Sequence, residues 1–185
     1  NPSVADAVDF VTIHTLPYWE DDPVGIDKAV PHVLAIVHHV ADAFPGKRLF
    51  IGEAGWPSAG RMREGALPSL VNQARFIREL ALAAAAEDFG LNLIESFDQP
   101  WKRRLEGTVG GHWGVYTEDR QPKFPLQGPV SNDPHWFVHF LVGAGLGFIL
   151  IIPAFFRARR LTPVGWFALA AAGQAAGVLL VAGGL

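Results

Sequence analysis

Residues 50–60 read FIGEAGWPSAG: an apolar approach to a single carboxylate, Glu53, followed at once by glycine, tryptophan and proline. Residues 48–52 have the short apolar run of a buried strand. Glu53 then stands at a strand's C-terminal end, the rim where parallel α/β sheets keep their active sites. A carboxylate so placed is a candidate catalytic group. A solvated strand-end glutamate beside a structural tryptophan would leave the same pattern, so the neighbouring sequence has to decide.

Working outward, residues 7–14 (AVDFVTIH) form a β-branched and aromatic run without a helical stripe, which predicts a mostly buried parallel strand. Pro17, the acids at 20–22, Pro23 and Gly25 break it. Residues 27–44 then predict a helix, because Val30, Val33, Leu34, Val37, Val40, Ala41 and Phe44 share one face. Pro45 and Gly46 end it ahead of the Glu53 strand. A second helix is expected over 69–87, closed by Gly90 at C′, and a third strand over 91–97. The order β-α-β-α-β implies a parallel sheet with helical crossovers, either an open doubly wound sheet or a closed eight-fold barrel. A whole barrel takes about 250 residues, and three strands are readable here. The chain opens on Asn1 without a basic-then-apolar leader, so it reads as part of something longer, with any further barrel strands preceding Asn1.

The composition changes near Ser131. Residues 1–130 are expected to be globular and 131–135 a linker. Residues 136–156 (WFVHFLVGAGLGFILIIPAFF) match the ~20 apolar residues of a membrane span. A basic loop, 157–163, carries Arg157, Arg159 and Arg160, and 164–185 is a second span whose strongly polar side chain is Gln174. The positive-inside rule makes the arginine loop cytoplasmic and puts the globular part on the other side of the membrane. Trp136, Phe137 and Trp166 suit an aromatic belt. The pairs Gly143 with Gly147 and Gly173 with Gly177 would permit close helix packing.

A formal charge of −3 offers no basic footprint for phosphates, which argues against nucleic acid as a partner. With no cysteine, disulfides and thiolate metal sites are excluded. His38 and His39 point in different directions on a helix, and His135 with His139 reads as an interfacial pair, so neither metal nor cofactor is expected. Tyr18, Trp19, Trp56, Trp101 and Trp113 fall in or beside the strand-end loops, where aromatic rings can stack on the apolar faces of sugars; for any single one of them core packing is the favoured role. Trp19 and Trp101, each beyond a proline-containing turn, are the preferred platforms. Arg61, Arg63 and Glu64 could rim a cleft or form a solvated loop.

Residues 52–58, GEAGWPS, resemble the nucleophile signature of glycoside hydrolase family 17, the β-1,3-glucanases and related glucosyltransferases. Residues 97–106 (FDQPWKRRLE), 112–125 (HWGVYTEDRQPKFP) and 14–19 (HTLPYW) resemble further segments of that family in the same order, and Asn72 matches an asparagine in the helix after the nucleophile loop. The resemblance implies the C-terminal portion of a (β/α)8 TIM barrel, about strands six to eight, followed by the two transmembrane helices. It implies Glu53 as nucleophile, with His14, Tyr18, Trp19, Trp56, Trp101, Lys102 and Glu106 contacting substrate, the last two as a charge network. Gln99 stands where the plant enzymes have glutamate, and Leu16 where many members have tyrosine. Pro100, Trp101 and Glu95 are closer to the fungal and bacterial branches.

The implied chemistry is retaining: a covalent glycosyl-enzyme, with a second carboxylic acid about 5–5.5 Å away protonating the leaving oxygen. In the family that acid follows an asparagine; no Asn-Glu pair occurs here, so it is expected before Asn1 and the isolated chain is expected to be inactive. The resemblance further implies β-1,3-glucan as substrate, with transglycosylation or remodelling of exported glucan favoured over hydrolysis. The setting it suggests is the inner membrane, with the barrel on the periplasmic side, in contact with the bilayer and with a glucan synthase or export system. A non-catalytic, membrane-bound glucan-binding or assembly module is the alternative.

Overall fold

Alternating apolar runs separated by proline and glycine give the expected alternation of strand and helix. The computed structural model describes residues 5–157 and 161–183. Its first unit, ending at Asn132, contains β1 (Phe10–His14), α1 (Ile26–Ala43), β2 (Arg48–Ala54), α2 (Leu70–Glu87), β3 (Gly90–Leu93) and the short α3 (Arg103–Glu106). Among the described residues the strands form one parallel sheet in the order β1-β2-β3. Right-handed crossovers in that order put α1 and α2 on one face. There Leu49, Ile51 and Ala54 of β2 are buried with Val30, Val33 and Val37 of α1 and Phe76, Ile77 and Leu80 of α2. Arg75 of α2 ties the helices together through Asp27 at the start of α1.

The other face of the sheet carries Phe10, Thr12 and His14, and β1 is exposed at alternate positions rather than mostly buried throughout. Phe10 is 52% exposed and its ring lies 6.0 Å from that of Phe50. β1 also starts at Phe10 rather than Ala7, and two boundaries near β3 differ from the sequence reading. Asp88, not Gly90, takes the left-handed position that ends α2 (φ 57). Gly90 opens β3 instead, where a Cβ would lie 2.2 Å from the Phe50 ring. β3 stops at Leu93, because residues 95–98 leave β2 to pair with 113–116: Glu95 N–H donates to Trp113 O (3.0 Å) and Tyr116 N–H to Ser96 O (3.0 Å). At the start of α2, Ser69 Oγ accepts from Asn72 N–H, while the Asn72 amide donates to Leu67 O. Asn72 therefore closes a helix start.

The second unit, Asp133–Leu185, is a pair of apolar helices, α4 (Trp136–Arg157) and α5 (Pro163–Ala182). Their 22 and 20 residues make each long and apolar enough to cross a membrane. Thr162 caps α5 by accepting from Gly165 N–H. The helices dock through their small residues: Gly143, Gly147, Gly173 and Gly177 are buried, and a Cβ on Gly177 would come within 2.1 Å of Gly143 O. Gln174 sits in this crossing and donates to Ala144 O (3.4 Å). Arg157 closes α4; Arg159 and Arg160 of the basic cluster lie outside the described residues.

Candidate active site

β2 runs through Glu53 to Ala54, and a register irregularity after Ile13 pairs His14 with Glu53. Thr15 N–H donates to Glu53 O (2.9 Å), which fixes the two strand ends together. His14 Nδ1 lies 3.4 Å from Glu53 Oε2, both side chains being about half exposed. Among the described residues Oε1 has neither a hydrogen bond nor an ion pair, and with the side chain 45% exposed it is open to an incoming atom, while Oε2 faces the His14 ring. The glycine before Glu53 makes room for this: a Cβ on Gly52 would stand 2.7 Å from Thr12 Cγ2 and 2.8 Å from His14 Nε2.

A second carboxylate lies one strand over. Leu93 is paired with Ala54, and Ile94 N–H donates to Ala54 O (2.9 Å), which puts Glu95 just beyond the end of β3. Glu95 Oε2 accepts from Gln99 Nε2 (2.8 Å), and Oε1 meets the Lys102 ammonium. Glu106, expected as the partner of Lys102, stands 3.9 Å from it and is more exposed than Glu95. The charge network thus centres on Glu95, a residue without a site role in the sequence reading.

Behind this pair, Asp98 Oδ1 accepts from Lys123 Nζ (2.9 Å) and from Gly114 N–H (2.9 Å), with both charged side chains largely buried. Burial pulls Lys123 below its ordinary pKa, and Asp98 opposes that shift. Burial, with the nearby Arg103 guanidinium adding to it, also holds His112 below its ordinary value of 6.5; Asp98 works the other way. Gln73, fully buried on α2, donates to the carbonyls of Trp113 and Gly114 (3.1 Å each), anchoring the segment against which Glu95 is paired.

The aromatic residues divide. Trp56 is fully buried, its indole N–H donating to Leu67 O (3.1 Å), and its ring packs near Phe76 and Tyr18. It has no face free for a sugar and supports the site from the core. Tyr18 is equally buried; its hydroxyl donates to Arg61 O (2.6 Å), and burial raises its pKa against the pull of Arg63 and Arg61. Trp19 stacks on Trp113 (6.2 Å, 21°) with the Arg63 guanidinium 5.3 Å from its ring centroid. Trp101 is the more open indole, 59% exposed, with Lys102 Nζ 5.9 Å from its ring centroid. A groove of about 390 Å³ gathers Tyr18, Trp19, Arg61, Arg63, Glu64 and Glu106, so the loops after β1, β2 and β3 meet in one depression.

A sheet whose neighbouring strands end in carboxylates, one with an open oxygen and one paired with lysine beside an exposed indole, is suited to carbohydrate chemistry. The chain belongs to the BtgE/BtgC glycoside hydrolase domain family, whose profile matches residues 1–114. Its relatives place it with glycoside hydrolase family 17. It is 28% identical to a glucan 1,3-beta-glucosidase of Saccharomyces cerevisiae, over 68% of this chain and 42% of that protein. Identity to a glucan 1,3-beta-glucosidase of Arthroderma benhamiae is 29%, over 70% and 46%. In structure it is similar to a glycoside hydrolase family 17 beta-1,3-glucanosyltransferase from Rhizomucor miehei: TM-score 0.61, 28% identity, 68% of this chain and 46% of that one. The chain thus spans less than half the length of these relatives.

Proposed function

We propose that the protein is a retaining enzyme of β-1,3-glucan, that residues 5–132 are the C-terminal part of its (β/α)8 barrel, and that Glu53 is the nucleophile. The observation that carries this is the Glu53 carboxylate itself, at a parallel strand's C-terminal end, with Oε2 beside His14 and Oε1 open. Glu53 Oε1 attacks the anomeric carbon as the glycosidic C–O bond breaks. The departing oxygen takes a proton from a second carboxylic acid, about 5–5.5 Å away in a retaining site, which the family resemblance assigns upstream of Asn1. Water or a sugar hydroxyl, giving its proton to the now ionised second carboxylate, then displaces Glu53 from the glycosyl-enzyme, giving hydrolysis or transfer respectively. Transfer is the preferred outcome, supported by the exposed Trp101 beside Lys102, which offers an acceptor sugar a stacking face and a hydrogen-bond donor.

In this reading α4 and α5 are membrane spans. Arg157 marks the cytoplasmic end of α4, and the catalytic part works on the periplasmic side of the inner membrane on glucan delivered by a synthase or export system. The complete protein should turn over laminari-oligosaccharides and give some products longer than the substrate, which only transfer can make. Glu53→Gln should lose turnover by at least about a thousandfold while folding normally, as expected for removal of a nucleophile; retained turnover would reject the assignment.

A further inference from the structure

We propose that Glu95 is a positioning residue of this site, holding Lys102 just beyond β3, the strand paired with the one that carries Glu53. The inference rests on the glycosidase reading above and adds a residue to it.

Glu95 is held at every polar group it has. Its N–H donates to Trp113 O and its carbonyl accepts from Val115 N–H (2.9 Å), while Gln73 anchors the Trp113 and Gly114 carbonyls from the core. In the side chain, Oε2 takes the Gln99 amide and Oε1 takes Lys102, so the carboxylate plane is fixed by two different partners. This is the preorganisation that a functional ammonium needs from its support. Glu106 offers much less: it sits on the four-residue α3, at 3.9 Å and about a third exposed.

A pair this enclosed, 12% and 21% exposed, is a poor device for stability, because desolvation offsets its attraction. Its use lies in where it puts the ammonium. Lys102 carries three protons; Glu95 accepts one, while Glu106 at 3.9 Å and the Trp101 ring centroid at 5.9 Å lie beyond hydrogen-bond length. At least one proton therefore remains for a sugar hydroxyl placed against Trp101. Without Glu95 the flexible four-carbon stem of Lys102 has nothing firm to set its position.

The test compares Glu95→Gln, Glu106→Gln and the swap Glu95→Gln/Gln99→Glu in the complete protein, with Glu53→Gln alongside, on laminari-oligosaccharides. Misplacing a positioned group costs about a hundredfold, so Glu95→Gln should lower kcat/KM by about that factor with little change in melting temperature, whereas Glu106→Gln should lose less than about threefold. The swap returns a carboxylate to the other end of the 2.8 Å contact and should recover much of the loss, which a merely structural role would not require. Unchanged kinetics in Glu95→Gln, an equal loss in Glu106→Gln, or no recovery in the swap would overturn the proposal. If Glu95→Gln fails to fold, Glu95→Gln/Lys102→Met is compared with Lys102→Met: equal turnover supports the proposal and a further drop rejects it. Should Glu53→Gln keep its turnover, the nucleophile reading fails separately, since that variant leaves the Glu95 pair untouched.

Discussion

Replacing Asp98 by asparagine should destabilise the first unit, because it leaves the buried Lys123 ammonium without its counter-charge. Lys123 is 7% exposed and Asp98 14%, and they meet at 2.9 Å. Asparagine can still accept from Gly114 N–H and from Lys123, so the hydrogen bonds survive and only the compensating charge is lost. Breaking a buried pair from one side costs about 3–5 kcal/mol; because the hydrogen bonds are kept, about 3 kcal/mol is expected. Lys123→Met in turn leaves the Asp98 carboxylate uncompensated and should also destabilise, whereas Asp98→Asn/Lys123→Met should be more stable than Asp98→Asn alone. The pH dependence identifies the cause. Burial has lowered Lys123 below 10.5 and only Asp98 raises it again. The protonated form is thus disfavoured in the fold, a penalty present below the folded pKa that fades as pH climbs toward 10.5. With Asp98 neutralised the folded pKa drops further, so the destabilisation of Asp98→Asn should shrink as pH rises from neutral. Urea unfolding in detergent, followed by tryptophan fluorescence, reads this directly. A loss below about 0.5 kcal/mol, within the range of an ordinary surface substitution, or a loss that grows with pH, would refute the reasoning.

Two further expectations concern His112 and the helix pair. Because burial and Arg103 hold His112 below 6.5, its neutral form belongs to the fold; its contribution is complete above pH 6.5 and is lost as pH falls through the folded value. The melting temperature should therefore fall more steeply on acidification in the wild type than in His112→Gln, and parallel curves would show that the ring titrates normally. In the helix pair, Gly177→Leu places a side chain where a bare Cβ already comes within 2.1 Å of Gly143 O. Since the chain lacks cysteine, an Ala144→Cys/Gln174→Cys pair should cross-link in membranes under mild oxidation, and Gly177→Leu should abolish that cross-link; undiminished yield would mean the helices do not pack through these glycines.

The elements legible in the sequence are those whose evidence is local. The stripe of Val30, Val33 and Val37 faces the core as its spacing requires, α2 begins within a residue of its expected start at Ser69, and the apolar run to Glu53 is a strand. Gly143, Gly147, Gly173 and Gly177 signalled close packing through size alone, and the helices dock there. What escaped depends on partners distant in the chain. Gly90 has the residue type of a helix terminator, but its nearest constraint is the ring of Phe50 on the neighbouring strand. Trp56 and Trp19 share the composition of sugar platforms. Only the surrounding packing makes one fully buried and leaves the other partly exposed under Arg63.

Glu95 shows how a boundary error becomes a site error. The argument that singled out Glu53, a carboxylate at the end of a parallel strand, applies to Glu95 without change. Reading β3 through to Phe97 conceals it, because a glutamate in mid-strand has no reason to face a cleft. The strand stops at Leu93 because residues 113–116 compete for the backbone groups of 95–98, and that competition has no local signature. Lys123 is subject to the same limit: a lysine in a proline-rich tail reads as solvated, and its burial follows only from an aspartate 25 positions earlier. Polar networks at strand ends are assembled from loops that meet in space, so a sequence can identify the strand-end acid while concealing the groups that aim it. The carboxylates worth testing in such a site are therefore those adjoining a revised strand end as well as those inside a recognised motif, and here that adds Glu95 to Glu53.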